Sequence, residues 1–543
     1  MGLGCSWYVR FLIMCGFFWR IAFLDQRGFL SLYCGGTSNF TDSSNILWIP
    51  DSSYVTTGNA TSVTSIEGIT PYPFPLRFFP SSKPKSLNCY RLPVQNMSLV
   101  LVRPQFIYKN YDGLMNPPSF FVSLGTAIVT TVNLTIYDPW VEEFIWPVSK
   151  ENLLFCLHPI PGGGHPVISS LELRPLPTGA YASGIGNSSN SLLRKRFRIN
   201  CGYSNGSLRY PVDPYDRIWD PDQNYSPAHL SAGFNIPIQL DVLELKESPP
   251  VSVLQSARVL ARKNILSYDF SVSSLGDYYI VMYFAGTLPV SSTFDVLVNR
   301  EVVRSNYQVK NMEASAVFIS RNRIDTLNIT LRNISYYPQV NAIEIYEIIE
   351  IPMESSATQV SALQVIQQST GFNLGWEGDP CYPVPWEHIG CEGNLVTSLE
   401  ISDMDMRVIS PTFSDLIYLK TLDLHNTSLS GEIKNLGSLQ KLEILNLSFN
   451  KLTSFGSDII KLVSLKFLDL QNNSLQGTVP ESLGSLTNLH LLNLENNRLQ
   501  GPLPQSLNKD SLEVRRSLPF FLHFNMQCPI RSTLNPDSTG DRF

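Results

Sequence analysis

Residues 442–475 read LEILNLSFNKLTSFGSDIIKLVSLKFLDLQNNSL, and the pattern L-x-x-L-x-L-x-x-N-x-L occurs in them twice. Working outward, it occurs once more on each side. The four copies are Leu419-Leu422-Leu424-Thr427-Leu429, Leu442-Leu445-Leu447-Asn450-Leu452, Leu465-Leu468-Leu470-Asn473-Leu475 and Leu489-Leu492-Leu494-Asn497-Leu499. A looser first copy uses Val396, Leu399, Ile401, Met404 and Met406, so successive copies start 23, 23, 23 and 24 residues apart. One unit of this period has a short strand that cannot bury its apolar face alone, and stacking the units buries a continuous core. An amphipathic helical bundle would instead repeat every 3.6 residues. Residues 396–507 are therefore expected to form a short α/β solenoid of about five repeats. Its concave face of parallel strands is a binding device rather than a catalytic pocket.

Strand alternation assigns the residues of that face. The x positions point outward, giving a central column of Glu400, Asp423, Asn446, Asp469 and Asn493. Thr421, Ile444, Phe467 and Leu491 run on one side of it, and His425, Ser448, Gln471 and Glu495 on the other. An acidic column beside an apolar one suits a basic, partly apolar peptide or a partner receptor; the plainer account is a solvated polar face. Thr427, Asn450, Asn473 and Asn497 point inward and are expected to be structural. Their side chains can satisfy backbone groups at the turn, where a bare buried group costs ~1–3 kcal/mol.

Upstream, residues 28–350 carry short β-rich runs bounded by Pro, Gly, Asn and Ser, such as SLVLVRPQFIY, TAIVTTVNLTIY and DYYIVMYFAG. Many short strands with close turn signals mean sandwiches or barrels. The polar stretch SGIGNSSNS (183–191) divides the region, and Cys34-Gly35 is echoed by Cys201-Gly202, each after an apolar run. This predicts a tandem duplication, with units over 28–182 and 192–350. A helical pattern follows from Thr358 to Gln368, with Val360, Leu363, Val365 and Ile366 as its apolar positions. Next comes GWEGDPCYPVPWEHIGCEG, in which Cys381 and Cys391 bracket Pro383, Pro385 and Trp386. A solenoid's first repeat needs a cap, and residues 356–395 with a Cys381–Cys391 disulfide would supply one. Residues 508–543 read as an irregular tail.

At 543 residues, with 43% apolar and 16% charged residues, the chain has room for about three domains. A net charge of −6 argues against nucleic-acid binding. Twelve Asn-x-Ser/Thr sequons point to a glycosylated secretory protein. They begin at Asn39, Asn59, Asn96, Asn133, Asn187, Asn205, Asn224, Asn328, Asn333, Asn426, Asn446 and Asn472. Glycans on the last three would cover the middle of the solenoid's arc and push a partner towards either end. The apolar run Phe11–Trp19 behind Arg10 resembles a degenerate signal peptide over 1–27. No stretch reaches the ~18 apolar residues of a membrane helix. Past that segment, Cys34, Cys89, Cys156, Cys201, Cys381, Cys391 and Cys528 form an odd set whose other pairings stay open.

Several motifs suggest chemistry and are better read plainly. Gly202-Tyr203-Ser204-Asn205-Gly206 fits a G-x-S-x-G elbow, yet no helix follows it. Gly162-Gly163-Gly164 lacks the Lys-Ser/Thr of a phosphate loop. His158 and His165 beside it have no further ligands at metal spacing. Arg194-Lys195-Arg196-Phe197-Arg198 reads as a solvated linker or strand edge, or as a dibasic protease site. No catalytic residue, metal or cofactor is expected, and no aromatic can be singled out as a sugar platform.

RYPVDPYDRIWDPD (209–222), ISSLELRPLP (168–177), YVTTGNATSV, RFFPSSKPKSLNCYRLP and VNAIEIYEIIE (340–350) resemble the plant malectin-like ectodomain. DPCYPVPWEHIGC resembles the cap that joins it to leucine-rich repeats in plant receptor-like kinases. The resemblance covers about 30–507. It implies tandem all-β malectin-like sandwiches followed by a short α/β leucine-rich-repeat solenoid. It also implies a non-enzymatic receptor-like protein at the cell surface or in the apoplast. Expected partners are a co-receptor or receptor kinase, a peptide or a cell-wall glycan, with carbohydrate binding weak or absent. No Gly-rich loop, H-R-D or D-F-G follows the repeats, so the chain resembles kinase-less relatives of those kinases, or a truncated fragment of a longer membrane-anchored receptor; a glycan-processing enzyme built on the β-sandwich, with paired carboxylates as its signature, is the remaining alternative.

Overall fold

The computed structural model describes residues 26–63, 74–80, 88–186, 190–225, 231–233, 247–260, 265–272, 275–286, 290–371 and 374–517. The expected signal segment up to residue 25, the sequon at Asn187, Cys528 and the tail beyond 517 lie outside them. The chain forms two compact units, one ending at Met353 and one beginning at Glu354.

A twelve-stranded sheet runs through both β halves of the first unit. Its middle strands are Ser170–Pro175, Leu99–Phe106, Phe144–Pro147, Ser191–Asn200, Ala342–Glu350 and Gly276–Ala285, in that order. The halves join where Phe144 lies opposite Arg194 and Ile145 opposite Leu193. Each half adds a four-stranded sheet of its own, so two sandwiches share one long layer. Period-two alternation buries both faces of that layer. Val100 and Val102 enter the first core, while Leu99 and Leu101 enter a cluster on the opposite face. Ile280, Met282 and Phe284 enter the second core, while Tyr279, Val281 and Tyr283 join that same opposite cluster. The segment read as a divider holds a one-turn helix, Ala182–Ile185, and the next strand begins at Ser191.

The Cys-Gly echo has a counterpart in space. Gly35 and Gly202 have φ of +77° and +76°, and a Cβ would lie 2.3 Å from the Leu76 carbonyl oxygen or 2.1 Å from that of Ala257. Only glycine fits both demands. The next residue after each carbonyl is an arginine clamping a buried aspartate: Arg77 on Asp51 (2.7 and 2.8 Å) and Arg258 on Asp222 (Nε, 2.8 Å). A tyrosine completes each set, Tyr90 at 2.8 Å and Tyr268 at 2.9 Å. Cys34 and Cys201 are buried thiols beside these clusters, and burial pushes both well above the usual thiol range. Cys89 and Cys156 lie opposite each other on paired strands and are disulfide-bonded.

In the second unit the helix is Ala357–Thr370, with Ser356 capping the Gln359 N–H and Gly371 closing it at φ +68°. Its buried stripe is Gln359, Ala362, Leu363, Ile366 and Thr370, while Val365 points outward, contrary to expectation. Position 365 lies off the 3.6-residue face that the others share. Ile389–Glu392 pairs antiparallel with Leu395–Glu400, which opens the solenoid sheet. Parallel rungs then follow at Thr421–Asp423, Ile444–Asn446, Phe467–Asp469, Leu491–Asn493 and Glu513–Arg515. The last rung falls in what the sequence marks as irregular tail. Val514 lies opposite Leu492, and Leu512 and Val514 add to the apolar core.

Candidate binding surface of the repeat unit

The inward ladder is built from side-chain amides. Asn450 Nδ2 donates to the Leu424, Leu447 and Ser448 carbonyls, and its Oδ1 accepts from the Thr427 and Leu429 N–H groups. Asn473 serves Leu447, Leu470 and Gln471 and accepts from Leu452 N–H. Asn497 serves Leu470, Leu494 and Glu495 and accepts from Leu475 N–H. Thr427, shorter by one group, directs its hydroxyl to the Leu424 carbonyl (2.7 Å) and to Asn450 Oδ1 (3.2 Å), and Asn450 also satisfies its own N–H. Each asparagine thereby ties two consecutive repeats together.

The outward column is in strict register: Glu400, Asp423, Asn446, Asp469, Asn493 and, on the added rung, Arg515. An acidic column thus ends on a cation. The other two rows also follow the rungs, with Ile444 and Phe467 among the exposed large apolar side chains. Asn493 departs from the expectation of an outward binding residue, at only 4% exposed. It donates to Asp469 Oδ2 (3.3 Å) and accepts from the Glu495 N–H (3.2 Å). The same local turn recurs along the column. The Oδ1 atoms of Asp423, Asn446 and Asp469 accept from the N–H groups of His425, Ser448 and Gln471. His425 Nδ1 also meets Asp423 Oδ1 at 2.8 Å, Gln471 Nε2 reaches Asp469 Oδ2, and Asn446 Nδ2 donates to Asp423 Oδ2 at 3.0 Å.

The cap sits directly before the first rung. Cys381 and Cys391 are disulfide-bonded with Cα atoms 5.7 Å apart. Trp376 and Trp386 stack beside them at 5.5 Å, each indole N–H donating to a backbone carbonyl. Asp379 accepts from the Cys381, Tyr382 and Ser355 N–H groups, which holds the loop.

Sequon asparagines Asn39, Asn59, Asn96, Asn133, Asn205, Asn224 and Asn426 are exposed; Asn328, Asn333, Asn446 and Asn472 are half-buried. Asn328 lies in a groove of 1020 Å³ with Ser267, Asp269, Asn299, Thr330 and Arg332, and its amide donates to Ser267 and Asp269. A smaller 280 Å³ hollow in the first half is lined by Ser62, Lys109, Asn110, Tyr111, Met115 and Tyr137. Sequence reasoning found neither, because the lining residues are scattered along the chain.

The basic run is not a solvated linker. Arg194, Arg196 and Arg198 lie on the central strand that joins the halves, and Arg198 is fully buried. Carboxylates from neighbouring strands neutralise it: Glu142 and Glu347 meet Arg194, while Glu143 and Glu344 meet Arg198, each at 2.6 Å. The network continues through Arg103, Glu172, Arg174, Asp216 and Arg209 on one side. On the other, Tyr181 links Glu344 to Arg217, which pairs with Asp213. Glu143 is held down at about 2: burial alone would raise it, and Arg198, Lys195 and Arg103 outweigh that.

Ser204 lies outside helix and strand, its hydroxyl directed to Asn205 Oδ1. His158 stacks on Phe121 and meets Ser123 Oγ at 2.9 Å. Among the described residues no cluster of three metal-ligating side chains occurs, and no helix is long and apolar enough to cross a membrane.

A fused pair of β-sandwiches followed by a capped leucine-rich-repeat solenoid is the architecture of a receptor-like ectodomain. A family model described as the malectin-like domain matches residues 32–348, and one described as leucine rich repeat matches 440–499. A receptor-like protein kinase of Arabidopsis thaliana is 30% identical over 430 residues, covering 73% of this chain and 46% of the relative. A probable LRR receptor-like serine/threonine-protein kinase of the same plant is 28% identical over 506 residues, 87% of this chain and 51% of that one. The chain spans about half the length of the curated relatives it matches. The solved plant receptor-like kinase FER has a TM-score of 0.51 at 21% identity, and the ANX2 ectodomain of Arabidopsis thaliana 0.51 at 17%. Each alignment covers 59% of this chain and 96% of the other. These likenesses show the fold. The chain belongs to the malectin-like family, in the form that carries leucine-rich repeats.

Proposed function

We propose that the chain is a non-enzymatic recognition region, acting at the cell surface or in the apoplast. It captures a basic, partly apolar peptide or a partner receptor on the concave face of its repeats. The observation carrying this reading is the in-register column of Glu400, Asp423 and Asp469 beside the exposed apolar row of Ile444 and Phe467. Complementary charge steers an encounter, and apolar contact then holds it. The fused sandwiches act as a rigid platform, and signalling passes through a partner such as a receptor kinase. A cell-wall glycan is the weaker ligand class, since the groove around Asn328 has no aromatic face besides Phe270.

The test is panning of a displayed peptide library against the secreted chain. Enriched peptides should carry Lys or Arg together with apolar residues. Charge reversal at Glu400, Asp423, Asp469 and Glu495 should abolish their capture, with the fold checked by circular dichroism. Capture that survives the quadruple change moves the binding surface elsewhere.

A further inference from the structure

The residue just before each ladder position is held at left-handed φ: Asn426 (+53°), Phe449 (+57°), Asn472 (+53°) and Asn496 (+55°). Asparagine visits that region readily, whereas a bulky residue there is an outlier. Three rungs obey the preference and Phe449 alone breaks it. The four residues form one row on the rim of the strand sheet. Asn426 N–H donates to Ser448 O (3.0 Å), Phe449 N–H to Gln471 O (3.0 Å) and Asn472 N–H to Glu495 O (2.9 Å). Neighbouring members are thus about 5 Å apart.

The asparagines reach along the row. Asn426 Nδ2 donates to Asp403 Oδ1 (2.6 Å) and Asn496 Nδ2 to Asn472 Oδ1 (3.0 Å). Phe449 makes no such bond and stands 52% exposed. A strained, exposed aromatic calls for an occupant. Both flanking rungs open sequons, Asn426-Thr427-Ser428 and Asn472-Asn473-Ser474. Asn426 gives its amide nitrogen to Asp403. Asn472 uses its oxygen, and its Nδ2 donates no bond among the described residues.

We propose that Asn472 carries an N-linked glycan whose first N-acetylglucosamine packs on the Phe449 ring. The apolar C–H face of a pyranose fits an aromatic face, as in sugar pockets. The glycan then lies along the rim and leaves the acidic column open. The inference rests on the reading of the chain as a secretory glycoprotein.

The experiment uses the full chain secreted from plant cells, with glycopeptide mass spectrometry and thermal melting. The variants are Phe449→Asn, Asn472→Gln, Asn426→Gln and the doubles. Phe449→Asn relieves the backbone strain and creates no sequon, since Lys451 stands two residues further on. Asn472 should be occupied. Phe449→Asn should lower the melting temperature by a few degrees when Asn472 is glycosylated, and raise it in the Asn472→Gln background. The Asn426→Gln background should leave the lowering intact. A bare Asn472, an equal effect of Phe449→Asn in both backgrounds, or a coupling to Asn426 instead would each overturn the proposal. Absence of glycan at every sequon would overturn the secretory reading as well.

Discussion

Replacing Glu344 with Gln tests whether the buried ion network makes the two sandwiches one body. Glu344 is fully buried and accepts from Arg198 Nε (2.6 Å) and from the hydroxyls of Tyr346 (2.7 Å), Tyr283 (2.7 Å) and Tyr181 (3.0 Å). Burial alone would raise its pKa; Arg198 and Arg217 outweigh that and hold it below the usual carboxylate range. Glutamine keeps the volume and removes the charge. Two buried guanidinium groups then lose a shared counter-ion, and breaking a buried pair in this way costs about 3–5 kcal/mol. At roughly 2 °C per kcal/mol for a large domain, the melting temperature should fall by about 6–10 °C. Calorimetry of the full chain measures the shift, and hydrogen exchange locates it. Because Phe144–Pro147 pairs with Ser191–Asn200, protection should fall on Leu99–Phe106 in the first half as well as around Glu344. A shift below about 2 °C, or one confined to second-half peptides, would refute the reasoning. The pH dependence has a fixed sign. Glu143 and Glu344 have lowered folded pKa values, so their stabilisation is present above the unfolded value near 4.3 and is lost as pH falls below it, for Glu143 towards about 2. Glu344→Gln should flatten that acid limb.

Asn473→Ala removes the donor to three carbonyls and the acceptor for Leu452 N–H; at ~1–3 kcal/mol per stranded group, the repeat unit should lose about 2–5 kcal/mol, read from its urea midpoint. Cys381→Ser with Cys391→Ser opens a loop of sequence separation 10, and the chain-entropy estimate for so short a loop is about 3 kcal/mol; an unchanged midpoint, or free Cys381 in non-reducing peptide maps of the parent, would contradict it. Burial pushes His158 down to about 4. The unfolded histidine titrates near 6.5, so its contribution is complete above that pH and is lost progressively as pH falls to 4. His158→Gln should remove this part of the pH slope, and identical slopes in the two proteins would rule it out.

The repeat unit was legible because its information is local. Leu442, Leu445 and Leu447 declare their buried side within six residues, and Asn450 sits where a turn needs an amide. The Cys-Gly echo was legible for the same reason: a positive φ with a carbonyl 2.1–2.3 Å from a would-be Cβ leaves one residue type at Gly35 and Gly202. The misreadings in the β region involve distant partners. Arg194 to Arg198 look solvated in sequence, since the carboxylates that bury them come from positions 142, 143, 344 and 347. Pairing of Phe144–Pro147 with Ser191–Asn200 spans the stretch that looks like a divider, and no local composition signals it. The final rung was missed because Leu512-x-Val514 keeps only the core of the pattern.

The concave face combines both kinds of information, and this bears on how it would recognise a partner. Alternation places Asp423 and Asp469 outward, yet each gives Oδ1 to the N–H two residues on and Oδ2 to an amide of the next rung. Few acceptor sites remain for a ligand to fill. What the column still presents is net negative charge, since amides satisfy lone pairs without neutralising a carboxylate. Charge of this kind acts over about a Debye length, ~8–10 Å, and favours steering over tight hydrogen bonding. Close contact then falls to Ile444 and Phe467, which remain exposed one row away. On the last rung Arg515, itself paired with Glu513 at 2.7 Å, ends the acidic column, so on the proposed reading a basic segment would gain most along the Glu400–Asp469 stretch.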